Sequence, residues 1–199
     1  MASTFTKTMT AIALGAGLAA ALAGQGMAQE AAKPADPLTA EARAIVGKFA
    51  EKLKGELVAS MKSDGPVKAI GVCNISAPAI AKEVSADGWT VNRTSLKLRN
   101  ASAAPDAWEK AGLEYFDAEK AKGADPMKLE RSEVVEKDGK KTFRYMKAIP
   151  TAEPCLACHG GEIKEPVKAK LTELYPKDQA TGYKEGDIRG AFTLSKPQP

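Results

Sequence analysis

The sequence predicts an α+β fold with an antiparallel sheet flanked unevenly by helices and a long helix at the N-terminal side. Three observations carry this: apolar residues at helical spacing from Leu38 to Leu57, a hairpin signal at Lys137-Asp138-Gly139, and alternating apolar residues from Ile188 to Leu194. Strands of this kind without regular β-α-β alternation favour an antiparallel sheet over a parallel one.

The elements follow in chain order. Residues 1–28 read as an export signal: Lys7, the apolar run Ala11 to Ala23, and the small residues Gly26 and Ala28 before a cut at Gln29. That run is short and weakly apolar for a membrane span, which needs ~20 residues. No span is therefore expected after cleavage. Residues 29–37, with two prolines and three alanines, read as a flexible tether, and residues 38–199 as the domain. Leu38, Ala42, Ile45, Phe49, Leu53 and Leu57 predict one amphipathic helix capped by Thr39 and ended by Asp64-Gly65-Pro66.

A short turn, Val67 to Val72, should then deliver Cys73, with Asn74 or Ser76 capping a second helix from Pro78 to Ser85. Trp89 to Leu96 reads as a strand, and Pro105 opens a helix reaching about Glu119. Asp138-Gly139 supplies the positive φ angles of a two-residue turn between strands Lys128 to Glu136 and Lys140 to Ile149. A helix over Val167 to Leu174 and a strand from Ile188 to Leu194, ending before Pro197, complete a PAS-like arrangement.

Composition excludes several classes. The charged residues are 29 Lys+Arg against 25 Asp+Glu, a net +4 too small and too interleaved for a nucleic-acid protein. With one histidine and three cysteines, a multi-histidine metal site, bis-histidine ligation and a disulfide scaffold are all out of reach.

The chemistry is concentrated in Cys155-Leu156-Ala157-Cys158-His159. Cys-x-x-Cys-His lets two thiols add to the vinyl groups of one haem while the next imidazole points at its iron. Composition alone produces such a pentad roughly 2 × 10⁻⁴ times in a chain of this length. A disulfide or a thioredoxin-like pair would leave the single histidine unexplained, so one covalent haem c is the expected cofactor. Together with the export signal this implies a periplasmic location. Gly160-Gly161 is expected to turn the chain away from the iron plane with positive φ.

The second axial ligand cannot be histidine. Cys73, Met61, Met127, Met146, a weaker ligand or an open site all remain, with Met146 on the strand leading to the motif. Haem propionates need cationic or hydrogen-bonding partners; Arg93 and Arg99 are the first choice, ahead of Arg144 and Tyr145. Trp89, Trp108, Phe143 and Phe192 are read mainly as core, with at most one or two touching haem. The tip Lys137 to Lys141 reads as solvated.

Several blocks in order resemble a known family: Ala69-Ile70-Gly71-Val72-Cys73 with Ala77-Pro78-Ala79-Ile80-Ala81; Arg93 to Asn100 with Pro105-Asp106-Ala107-Trp108-Glu109; Pro154 to Gly160; and Tyr175 to Tyr183 with Gly186 to Ala191. These resemble exported single-haem proteins with a PAS-like haem-binding domain, typified by a cyanobacterial c-type cytochrome with histidine/cysteine axial ligation. The resemblance covers Leu38 to Leu194 and implies that Cys73 is the distal ligand opposite His159. It implies low-potential electron transfer or redox sensing with a redox partner protein. The alternative is a sensor in which Cys73 dissociates to admit a small diffusible gas. Peroxide turnover is disfavoured, because no second histidine is left as a distal acid-base group.

Overall fold

The computed structural model describes residues 36–199. The signal peptide and residues 29–35 of the tether lie outside the described residues. Among those described, no helix is long and apolar enough to cross a membrane.

The first helix, α1 (Pro37–Ser63), is capped by Asp36, whose carboxylate accepts from the Leu38 N–H at 2.9 Å. Pro37 occupies the first turn, where its missing N–H costs nothing. Thr39, the expected cap, is instead buried within the helix and donates to Ser132 Oγ at 3.3 Å. Residues Asp64-Gly65-Pro66 do end α1, but they immediately start α2 (Gly65–Gly71) rather than a turn.

A π-helical turn, Val72–Ser76, joins α2 directly to α3 (Ala77–Val84). Neither Asn74 nor Ser76 acts as the expected cap. The Ala77 N–H is already satisfied by the Val72 carbonyl, so α3 has no free N-terminus to cap. Cys73 sits in this widened turn, a ladder irregularity common at functional sites.

The remaining elements are β1 (Thr90–Thr94), α4 (Ala107–Ala121), β2 (Glu130–Lys137), β3 (Lys140–Pro150), α5 (Leu156–His159), α6 (Glu165–Leu174) and β4 (Ile188–Gln198). Helix α4 is closed by a capping box: Glu109 N–H donates to Asp106 Oδ1 at 2.9 Å and Asp106 N–H to Glu109 Oε2 at 3.0 Å. Pro105 therefore precedes the cap instead of forming the first turn. The β2–β3 hairpin turns at Asp138 (φ 53) and Gly139 (φ 71), as the Asp-Gly signal requires.

All strand pairs are antiparallel, in the order β1-β4-β3-β2, which places the C-terminal strand in the centre of the sheet. The α+β, PAS-like antiparallel sheet expected from the sequence is the fold observed. Strand β4 continues through Pro197, beyond Ser195, the last residue paired by β1. Pro197 therefore lies where one neighbour is missing, a position that tolerates a lost N–H.

One core holds Ala42, Val46 and Phe49 of α1 with Ile80, Val91, Phe143, Tyr145, Phe192 and Leu194. A second holds Leu113 and Phe116 of α4 with Met146, Ile188 and Ala191. A third, Ile70, Val167, Leu171 and Tyr175 with Cys158 against it, brings α2 and α6 together beside α5. This third cluster is what carries the Cys73 turn towards the Cys-x-x-Cys-His segment.

Close packing between β1 and β4 needs glycine at 190. A Cβ there would lie 2.4 Å from the Thr94 carbonyl oxygen and 3.2 Å from Ser95 Cβ. Gly190→Ala is expected to cost about 1–3 kcal/mol of folding stability through overpacking. Urea unfolding of the two proteins checks it, and an unchanged midpoint would contradict the close approach.

Candidate functional site

The motif occupies one helical turn and the short 3₁₀ turn before it. Cys155 ends the 3₁₀ turn Glu153–Cys155, and α5 (Leu156–His159) closes with Gly160 N–H donating to the Leu156 carbonyl at 2.9 Å. Neither Gly160 (φ −70) nor Gly161 uses the positive φ expected from sequence. Glycine at 160 has a steric reason instead: a Cβ would meet the Leu156 oxygen at 2.6 Å.

The segment 180–183 runs beside this turn and fixes it. Gly182 N–H donates to the Gly160 carbonyl at 2.9 Å, Tyr183 N–H to the His159 carbonyl at 3.0 Å, and a parallel bridge links Gly160 to Tyr183. His159 Nδ1 lies 2.7 Å from the Ala180 carbonyl oxygen. A carbonyl only accepts, so this distance requires the proton on Nδ1. The Nε2 lone pair is then free, and it accepts from Arg99 Nη1 at 3.4 Å. This is the tautomer of an imidazole that ligates metal through Nε2.

Three arginines surround the ring. Arg99 pairs with Asp178, Nη2 to Oδ2 at 2.9 Å, and its Nη2 also donates to the Cys158 carbonyl at 2.5 Å and the Ala180 carbonyl at 3.3 Å. From β4, Arg189 brings Nε to 3.1 Å from His159 Nδ1, while its Nη1 donates to Ser95 Oγ at 2.9 Å. Its guanidinium lies over the Tyr183 ring, which meets His159 edge-on at 6.2 Å between centroids. Arg93 of β1 acts on the same imidazole, but its side chain makes no hydrogen bond or ion pair among the described residues. Its guanidinium carbon lies 5.9 Å from the centre of the Phe49 ring.

Burial, reinforced by Arg189 and Arg99, drives the imidazole pKa down to about 2. His159 is therefore neutral at any ordinary pH. Burial likewise lowers the pKa of the Arg93 and Arg189 guanidinium groups and pushes the Cys158 thiol up.

Cys73, Cys155 and Cys158 are all free and half-buried. Cys73 lies close to Arg93, Cys158 and Tyr175. The candidates Cys73, Arg93, Arg99, Cys158 and His159 thus share one region, with Cys155 one helical turn before Cys158.

Other candidates lie elsewhere. Arg144 binds Asp106 at 2.6 Å and Glu109 at 3.0 Å, locking α4 onto the sheet. Tyr145 is fully buried and donates to Glu130 at 2.7 Å. Met146 is core, so tightly packed that a Cβ at Gly112 would meet its Sδ at 2.6 Å, and Met127 is 65% exposed on a surface turn. Trp89 packs edge-on against Phe143, Phe192 against Phe49, and Trp108 donates to Glu133. The aromatics at the site are Tyr175 and Tyr183, which composition did not single out. Arg189, Asp178 and Ala180 lie in blocks that carry the family resemblance but receive no site role from sequence, because only folding brings the C-terminal third onto the motif.

A histidine held neutral in the fold and free to protonate when unfolded stabilises the fold above its ordinary pKa of 6.5 and loses that stability below it. With its thiols free, the chain should lose about 2 kcal/mol between pH 7 and pH 5, at ~1.4 kcal/mol per pH unit below 6.5. His159→Gln should flatten that slope in urea titrations across the range. A wild-type slope equal to that of the variant would contradict the buried neutral ring.

Known proteins agree with this architecture. The crystal structure of the cyanobacterial haem protein Tll0287 superposes with a TM-score of 0.64 at 26% identity, covering 83% of this chain and 98% of that one. No curated protein matches the chain. A family model, Tll0287-like, matches residues 23–197, so the resemblance read from separated sequence blocks is borne out and the chain belongs to the Tll0287-like family.

Proposed function

We propose that this chain is a haem-binding, cytochrome-like protein, and specifically a periplasmic monohaem cytochrome c acting in low-potential electron transfer or redox sensing. The observation that carries the reading is the His159 imidazole, neutral and held by the Ala180 carbonyl in the Nε2-free tautomer at the end of Cys-x-x-Cys-His. The similarity to a haem protein across almost all of that protein's length supports it.

The donor set fits haem c. Cys155 and Cys158 would hold it by adding their S–H bonds across its two vinyl groups, the sulfur to one carbon and the proton to the next. His159 would ligate through Nε2, which replaces the contact from Arg99 Nη1; the remaining bonds of Arg99 to Asp178, Cys158 and Ala180 involve other atoms. Cys73 would supply a second ligand to the iron. Arg93, half-buried and paired with no carboxylate among the described residues, and Arg99 would face the propionates. When bound, the haem iron would supply a one-electron ferric/ferrous couple, the chemistry of an electron carrier.

Sensing of a small gas is favoured by one feature. Cys73 sits on a π-helical turn, a ladder irregularity that would let this segment shift and change which group the Cys73 thiol meets. Carbon monoxide binding to the ferrous protein, coupled to a structural change, would support that reading over simple electron carriage.

Electron paramagnetic resonance of the ferric protein tests the ligand assignment. A low-spin thiolate signal is expected, lost on Cys73→Ala. High-spin or methionine-type signals, or a spectrum unmoved by that substitution, would reject Cys73 ligation.

A further inference from the structure

We propose that Arg189 is a positioning residue that fixes the plane of the His159 imidazole and, through its unneutralised charge, raises the reduction potential of the haem iron. The inference rests on the haem reading above and extends it to a residue outside the motif.

Four contacts build the argument. Arg189 Nε stands 3.1 Å from His159 Nδ1, Nη1 donates to Ser95 Oγ at 2.9 Å, the Lys97 carbonyl lies 3.5 Å from the same Nη1, and the guanidinium carbon lies 5.5 Å from the centre of the Tyr183 ring. The group is held from strand, loop and ring face at once, so the charge has a fixed place. The proton on Nδ1 goes to Ala180, so Nδ1 has no lone pair for Arg189 to use. What Arg189 delivers to the ring is therefore positive charge rather than a hydrogen bond.

No carboxylate cancels that charge. Among the described residues Arg189 forms no ion pair, and Asp178, which acts on it, is already paired with Arg99 at 2.9 Å. A fixed cation beside an axial imidazole makes that imidazole a poorer donor and disfavours the more positive ferric state, and both effects raise the potential. The bond to Ala180 alone would leave the ring free to tilt. Arg189 on one side and the edge-on Tyr183 close that freedom.

The test is redox titration of the haem-loaded proteins. Arg189→Gln is expected to raise the oxidised-to-reduced ratio at a fixed ambient potential about tenfold, equivalent to a fall of ~59 mV for one electron. Arg189→Lys, which keeps a charge, should recover most of that shift. If Arg189→Gln does not fold, Arg189→Met, which keeps the apolar stem without charge, takes its place. A potential unmoved in the uncharged variant, with the ferric spectrum still showing His159 ligated, would overturn the inference alone. Equal shifts in the lysine and glutamine variants would also overturn it, since packing rather than charge would then be responsible. A wild-type chain that carries no haem would overturn the haem reading, and this inference with it.

Discussion

The hydrogen bond from His159 Nδ1 to the Ala180 carbonyl is the interaction on which the site depends. It selects one tautomer of the single histidine, aims Nε2 away from the backbone and ties the motif to the segment that follows α6. Two backbone bonds beside it, from Gly182 and Tyr183, make the same segment a brace for the four-residue helix α5. A helix that short has almost no stability of its own, so its geometry is set by the brace and by Cys158 packing on the α2–α6 cluster.

Charge is the second constraint. Three guanidinium groups, those of Arg93, Arg99 and Arg189, act on one imidazole, and among the described residues Asp178, on Arg99, is the one carboxylate paired to any of them. Buried like charges of this kind are costly without counter-anions. An acidic cofactor with two carboxylates is the chemical complement of Arg93 and Arg99, and the neutral imidazole and three reduced thiols are the complement of its metal and vinyl groups. The protein thus carries an arrangement more positive than its own side chains balance.

Much of the fold was legible because its determinants are local. The Asp-Gly turn, the apolar stripe of α1 and the alternation in β4 each encode geometry within a few residues. The Cys-x-x-Cys-His motif is local in the same way. What was not legible depends on neighbours distant in sequence. Ser76 looked like a cap because Val72 was not known to reach Ala77 through a π-helical turn. Arg144 looked like a propionate partner because its pairing with the α4 capping residues needs the folded sheet. Arg189 falls in one of the blocks that resemble the family, yet nothing local gives it a role: a single arginine in an alternating strand gains one only when the fold brings the start of β4 to the motif. Gly160 was singled out correctly but for the wrong reason, since its need is space beside Leu156 rather than positive φ.

The central claim is that one haem is bound covalently through Cys155 and Cys158, leaving Cys73 as the remaining thiol. Intact mass spectrometry of the purified protein, unfolded and treated with a thiol alkylating agent, tests this directly. The account requires the mass of the mature chain plus one haem and a single alkyl group. A chain without haem that takes up three alkyl groups would contradict it.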